Sequence, residues 1–342
     1  MNAFRQVPIF LFCLTPTAFP QQSIETNRRI TLDVVVTGKP DKPAPNLQQQ
    51  DFTILDNKEP RKILSFRAAQ GTTDEPPVEI VLLIDRVNSS VLSVGNVLQE
   101  TKKFLGQNGG QLAQLVSIIS FSDAGTQIAN PTRDGNALIA GLDQTESSLR
   151  TTRRSQGVYG AEERFQKSLG ALNSVAAYEE KKPGKKLLIW ISPGWPLLSG
   201  PRIELSSKDE EGLFKAVVAV STALRQARIT LYSVDPLGVA DAVSFRTTAY
   251  GDFLKGVKSA RQVHAGNLAL QVLAVQTGGK VLNSSNDIAG QIGKCVADAD
   301  AYYVLSFDSD RSDGPNEYHQ LDIKLSQPGL TARTRTGYYA QP

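Results

Sequence analysis

The stretch "VEIVLLIDRVNSS", Val78 to Ser90, constrains the fold more than any other part of the chain. Ile80 to Ile84 form an unbroken apolar run, and the run ends on Asp85. A strand that is apolar at successive positions has both faces buried, which places it near the middle of a parallel sheet covered by helices. Asp85 then stands at the carboxyl end of that strand, where open α/β sheets place their ligands. The turn "DRVNS" is therefore a metal site, the remnant of one, or a strand terminus.

The chain after Glu79 carries the pattern such a sheet requires. Strands are expected at Ile80–Asp85, Val116–Phe121, Lys186–Ser192, Ile229–Val234, Lys280–Leu282 and Tyr302–Phe307. Between them, "VGNVLQETKKFLGQ" sets Val94, Val97, Leu98, Phe104 and Leu105 on one helical face, and "AEERFQKSLGALNSVAAY" does the same with Phe165, Leu169, Leu172 and Val175. Further helices are read in "DEEGLFKAVVAVSTALRQ", "GNLALQVLAVQTGG" (with Gly278 as its C-cap) and "NDIAGQIGKCVADAD". Strand–helix alternation predicts an α/β fold: a doubly wound, mostly parallel sheet with helices on both faces.

The flanks read differently. Residues 28–69 hold β-branched or alternating runs broken by turns, and 315–340 alternate again in "YHQLDIKLS" and "LTARTRTGYY". Residues 70–77, "QGTTDEPP", are a polar linker ending in two prolines, so the α/β domain is bounded at 78–310. The two β segments either form one small sandwich or are separate appendages. Residues 1–20 have the layout of a secretory signal peptide: Arg5, a short apolar stretch from Val7 to Leu14, then small residues. Export, to a periplasmic or extracellular location, is the expectation. Cys13 falls in that segment, which leaves Cys295 as a single thiol and the fold without an internal disulfide. With 37 basic against 34 acidic residues in 342, the chain lacks the basic excess of a nucleic-acid binder, and no run reaches membrane-spanning length.

"VEIVLLID" with its polar turn, "VSIISFSD", "KKLLIWISPG" and "ITLYSVD" resemble a von Willebrand factor A-type domain. Together with the flanks, "LDVVVTGK…LQQQDFTILDNKEPRKILSF" and "DADAYYVLSFD…LDIKLSQPGLTARTRTGYYA", the chain is similar to the secreted A-type domain proteins of acidobacteria. The resemblance implies a doubly wound sheet with one short antiparallel edge strand, for which "TQIAN" (Thr126 to Asn130) is the candidate. It also implies a site for Mg²⁺ or Mn²⁺, built from an Asp-x-Ser-x-Ser turn, a Thr of a second loop and an Asp of a third.

The residues depart from that pattern at each loop. Asp85 and Ser89 match the first turn, but Val87 stands where the first Ser belongs, and Asn88 is out of phase. Tyr159 and Gly160 occupy the second loop, with Thr151 and Thr152 upstream, and Ser192-Pro193-Gly194 replaces the Asp of the third. A hard dication needs several oxygen ligands, and Arg86 adds a competing positive charge. Asp85 and Ser89 remain the candidate metal ligands, and a degenerate site in which Asp85 accepts backbone N–H groups is the competing reading.

No G-x-S-x-G, H-E-x-x-H, P-loop or G-x-G-x-x-G occurs, and the histidines, His264 and His319, offer little scope for acid–base chemistry. Glu162–Glu163 and Asp209–Glu210–Glu211 are read as helix-start acids. The loop "ISPGWPLLSGPR" carries Trp195, which either anchors a protein contact or packs over the sheet end. The expected function is a secreted, non-enzymatic protein-binding module with a degenerate metal turn, contacting a protein partner through Arg86, Asn88, Pro193 and Trp195. The alternatives are a metal-dependent adhesion domain using Asp85 and Ser89, and a hydrolase.

Overall fold

Strand β6 (Glu79–Asp85) is buried at all seven positions and lies inside the central sheet. In the computed structural model, residues 28–38, 42–44, 46–69, 76–146, 157–195, 206–237, 249–310, 312 and 314–340 are described. The expected signal segment with Cys13, most of the 70–77 linker, and Thr151 and Thr152 lie outside them. Parallel neighbours of β6 are β7 (Gln111–Ser122) on one side and β10 (Lys186–Ile191) on the other. Beyond β10 come β11 (Ile229–Val234) and the short β12 (Val281–Leu282), both parallel. Beyond β7 lie β8 (Gly125–Ile128) and β9 (Thr132–Asp134), both antiparallel to it. The order β12-β11-β10-β6-β7-β8 is that of a doubly wound sheet with a short antiparallel edge.

Side-chain alternation along the buried strands fills two cores. Val81 and Leu83 of β6 join Leu188 and Trp190 of β10 beneath α3 (Gly157–Glu179), α4 (Ser207–Gln226) and α5 (Leu270–Gln276). Ile80, Leu82 and Ile84 join Leu187, Ile189 and Ile191 against α1 (Val91–Leu105), α2 (Gly135–Glu146) and α6 (Ile288–Val296). The apolar stripes read from sequence face these cores: Val94, Val97, Leu98, Phe104 and Leu105 of α1, and Phe165, Leu169, Leu172 and Val175 of α3, are buried. Ser90 caps α1 by accepting from the Ser93 N–H, and Ser206 and Asp209 form a reciprocal capping box on α4. Gly278 takes φ +88° just past α5, the left-handed conformation a helix stop needs.

The β segments pair with one another. Strand β1 (Arg29–Gly38) lies antiparallel to β13 (Tyr302–Asp308), with Arg29 opposite Asp308, and β13 is flanked in turn by β5 (Ser65–Ala69). The far part of β1 pairs with β2 (Lys42–Pro43) and β15 (Thr331–Arg333). A second sheet runs β16 (Gly337–Ala340), β14 (Glu317–Leu325), β3 (Phe52–Asp56), β4 (Glu59–Arg61). Leu32, Val34, Tyr303 and Leu305 of the first sheet share one core with Ile54, Leu321 and Tyr338 of the second. Tyr302–Phe307, expected within the strand series of the α/β run, thus belongs to a different sheet. The reason is visible in its burial. Tyr302 and Val304 face the α/β core while Tyr303, Leu305 and Phe307 face the other, so the strand is apolar on both sides and reads like a central parallel one.

Candidate functional site

The crevice of a doubly wound sheet opens where successive connections leave in opposite directions. Here β6 leads through α1 to β7 on one side, and β10 leads through α4 to β11 on the other, so the crevice lies at the carboxyl ends of β6 and β10. Asp85 ends β6 at that point and is buried.

Its carboxylate is a hydrogen-bond hub. Oδ1 accepts from the backbone N–H of Val87 and of Asn88, each at 2.9 Å. Oδ2 accepts from the Asn88 amide at 2.8 Å, the Ser192 hydroxyl at 2.8 Å and the Trp190 indole N–H at 3.1 Å. The Asn88 amide also donates to Ser168 Oγ on α3 at 2.9 Å. One buried charge therefore joins the ends of β6 and β10 to the helix that covers them. Charge-assisted bonds of this kind are stronger than neutral ones and compensate the desolvation of the carboxylate.

These residues do not fit a divalent cation. A carboxylate offers about four lone-pair directions, and five donors already point at those of Asp85. The indole and amide N–H groups at Oδ2 would face a dication with hydrogen rather than oxygen. Val87 turns fully into the core beside Phe165 and Trp190, so no ligand oxygen arises at its position. Among the described residues, no cluster of three or more His, Cys, Asp or Glu could hold a metal. Ser89, the second candidate ligand, is buried, and Arg86 continues the ladder by donating its N–H to the Phe121 carbonyl.

Of the two readings of Trp195, packing over the sheet end is the one the structure displays. It is 5% exposed, stacks edge-on to Trp190 at 5.2 Å between ring centres, and donates Nε1–H to the Leu268 carbonyl at 2.9 Å. Once its N–H finds a buried acceptor, an indole gains from full burial, which is why the loop folds it inward. Pro193 stays half-buried, with its carbonyl accepting from Gln271 at 3.4 Å. The rest of that loop, 196–205, lies outside the described residues. Sequence reasoning missed Trp190 and Ser168 as partners of Asp85. No motif marks them, because the strand and helix that carry them meet Asp85 only through the tertiary fold.

Exposed apolar side chains gather at this same end. Val91 and Leu92 open α1 directly after the turn, at 50% and 88% exposure, and Tyr159 in the first turn of α3 is 88% exposed. Leu237, three residues past β11, is exposed too. Among the described residues, Leu64 is the one other large exposed hydrophobic. Beside them, Lys167 bridges Glu163 at 2.8 Å and Asp123 at 3.0 Å, and hydrogen bonds to Glu163 and then Asp123 hold its ammonium above the ordinary lysine range. Glu163 is thus a helix-surface ion partner.

No protein-family model matches the chain, and no curated protein matches it. Solved structures of similar fold include the pilus adhesin SpaC from Lactobacillus rhamnosus GG in its open conformation, at 13% identity over 90% of this chain with a TM-score of 0.39. The chain spans 42% of that structure's length. Manganese-loaded TRAP protein of Plasmodium vivax matches at 7% identity over 79% of this chain and 97% of its own, with a TM-score of 0.34. The SpRpn10 VWA domain matches at 13% identity over 64% and 96%, with a TM-score of 0.30. No helix of the described residues is long and apolar enough to cross a membrane. All three superpositions are loose, and the strand order and register stand by themselves: a doubly wound α/β fold with a short antiparallel edge, as the resemblance to A-type domains implies, carrying additional β sheets.

Proposed function

We propose that this chain is an exported, non-enzymatic protein-binding module that engages a protein partner at the carboxyl end of its sheet and needs no bound metal to do so. The observation that carries the reading is the concentration of Val91, Leu92, Tyr159 and Leu237 around the β6–β10 crevice, while nearly every other large apolar side chain described is withdrawn from water. Exposed apolar groups clustered beside polar ones mark interaction surfaces. Arg86 and Asn88, half-buried at the crevice, and Pro193 supply the polar and rigid rim. The Asp85 hub serves this surface by holding its two strand ends and α3 in one arrangement. Trp195 is left out of the contact set because it is spent on the core.

Export is supported by the sequence of residues 1–20. The test is a pull-down from the secreted fraction of the producing cells, with Leu92→Asp and Tyr159→Ser beside the native chain. Each variant is expected to keep the native melting temperature and to lose the captured partner at least tenfold, as interface anchors do. Capture unchanged in both variants sinks the proposed surface. Turnover of ester, peptide or glycoside substrates that Asp85→Ala abolishes sinks the non-enzymatic reading.

A further inference from the structure

At the opposite end of the sheet, three arginines line one narrow cleft that opens to solvent. Arg225 lies in the last turn of α4, Arg228 in the turn that enters β11, and Arg335 between β15 and β16. The one carboxylate lining the cleft, Asp33 of β1, is engaged by Arg228 with Nη2–Oδ1 at 2.5 Å and Nε–Oδ2 at 3.4 Å. That pair cancels in charge. Arg335 is only 8% exposed, and no side-chain ion pair joins its guanidinium or that of Arg225 to a carboxylate among the described residues. The Nε of Arg225 is itself buried with no acceptor. Two guanidinium charges thus face one cleft whose single carboxylate Arg228 already engages, an arrangement that is unfavourable unless something else supplies counter-charge.

We propose that this cleft is a binding site for a free tetrahedral dianion, phosphate or sulfate, held by Arg225 and Arg335 and by the hydroxyls of Thr230 and Thr334. The charge count selects a dianion, since a single carboxylate leaves one guanidinium uncompensated. Guanidinium forks match tetrahedral oxyanions through paired N–H donors, and threonine hydroxyls add donors at no charge cost. Burial, then repulsion from Arg225, pushes the Arg335 guanidinium below its ordinary range. The bound ion would tie the α4–β11 corner to the β15–β16 segment, so its effect is stabilisation of the whole chain.

The experiment is thermal unfolding and titration calorimetry of the full chain with sodium phosphate and sodium sulfate at pH 7.5, ionic strength held constant with chloride. Binding to the native state alone raises the midpoint by mass action, so a saturable rise of roughly 3 °C or more in the low-millimolar range is expected. Arg335→Gln is expected to abolish the saturable rise and to weaken calorimetric affinity at least tenfold. Arg225→Gln gives the same reading should the first variant fail to fold. Both ions also stabilise proteins by exclusion from their surfaces, but that effect is non-saturating. A linear rise shared by native chain and variants, or no rise, overturns the proposal. Glycerol 3-phosphate separates a free ion from a phosphate carried on a larger molecule: stabilisation by the monoester without the inorganic ions overturns it as well.

Discussion

The indole N–H of Trp190 points at Asp85 Oδ2 from 3.1 Å, inside a core that excludes water. The bond links neighbouring parallel strands through side chains rather than backbone, at the point where the sheet's winding reverses. Replacing Asp85 by Asn puts an amide N–H₂ among five donors and strands several of them. Asp85→Asn is expected to lower unfolding free energy by roughly 2–5 kcal/mol, and Ser192→Ala by about 1–2 kcal/mol, as read from urea denaturation midpoints.

A carboxylate held by five donors must give some of them up before it can ligate a cation. Melting temperatures in EDTA and in millimolar Mg²⁺ or Mn²⁺ are expected to agree within about 1 °C, since a ligand that binds only the native state must shift the transition. A cation-dependent rise that disappears in Asp85→Ala restores the metal-dependent adhesion reading.

His319 in the β segments carries a pH dependence. Its Nδ1 lies 2.8 Å from Asp56 Oδ1, with Tyr338 OH donating to Asp56 Oδ2 at 2.9 Å and Glu317 Oε1 3.9 Å from Nε2. Hydrogen bonding to Asp56 raises the imidazole above its ordinary value, against burial and the nearby Arg61 charge. A raised folded-state value means the imidazolium is stabilised by folding. Its contribution is full below about pH 6.5, the unfolded value, and is lost as pH rises through the folded value. Stability measured by denaturant titration is expected to decline above about pH 6.5, and His319→Gln to flatten that decline. A native chain whose stability climbs across this range contradicts the assignment.

Cys295 is fully buried in α6, and burial drives its thiol well above the ordinary range. The thiolate is the reactive form. Labelling of Cys295 by a soluble disulfide reagent is expected to be at least about 100-fold slower in buffer than in denaturant, with its rate tracking global unfolding. Fast labelling of the native chain means the helix opens locally.

The parallel core was legible because its strands are apolar on consecutive positions, a pattern few other environments tolerate. The same property misled at Tyr302–Asp308, where two different cores lie on the two faces of one antiparallel strand. Sequence periodicity reports that a face is buried and is silent about which body buries it. At the crevice, Asp85 was conspicuous as the polar end of an apolar run, whereas Trp190 and Ser168 were indistinguishable from ordinary core and helix residues. The arginine cleft was invisible for a related reason. Arg225, Arg228 and Arg335 come from segments more than a hundred residues apart at the extremes, and only the fold brings them to one space.

The register of β1 with β13 sets Arg29 opposite Asp308. A chain synthesised from its amino end therefore completes β1 long before any partner for its inner half exists, and the whole α/β unit must emerge in between. Contacts of such sequence separation slow folding and leave unpaired strand edges exposed meanwhile. Until β13 emerges, β1 and β5 each keep an unpaired edge, and a truncation before residue 302 deprives both of that partner for good.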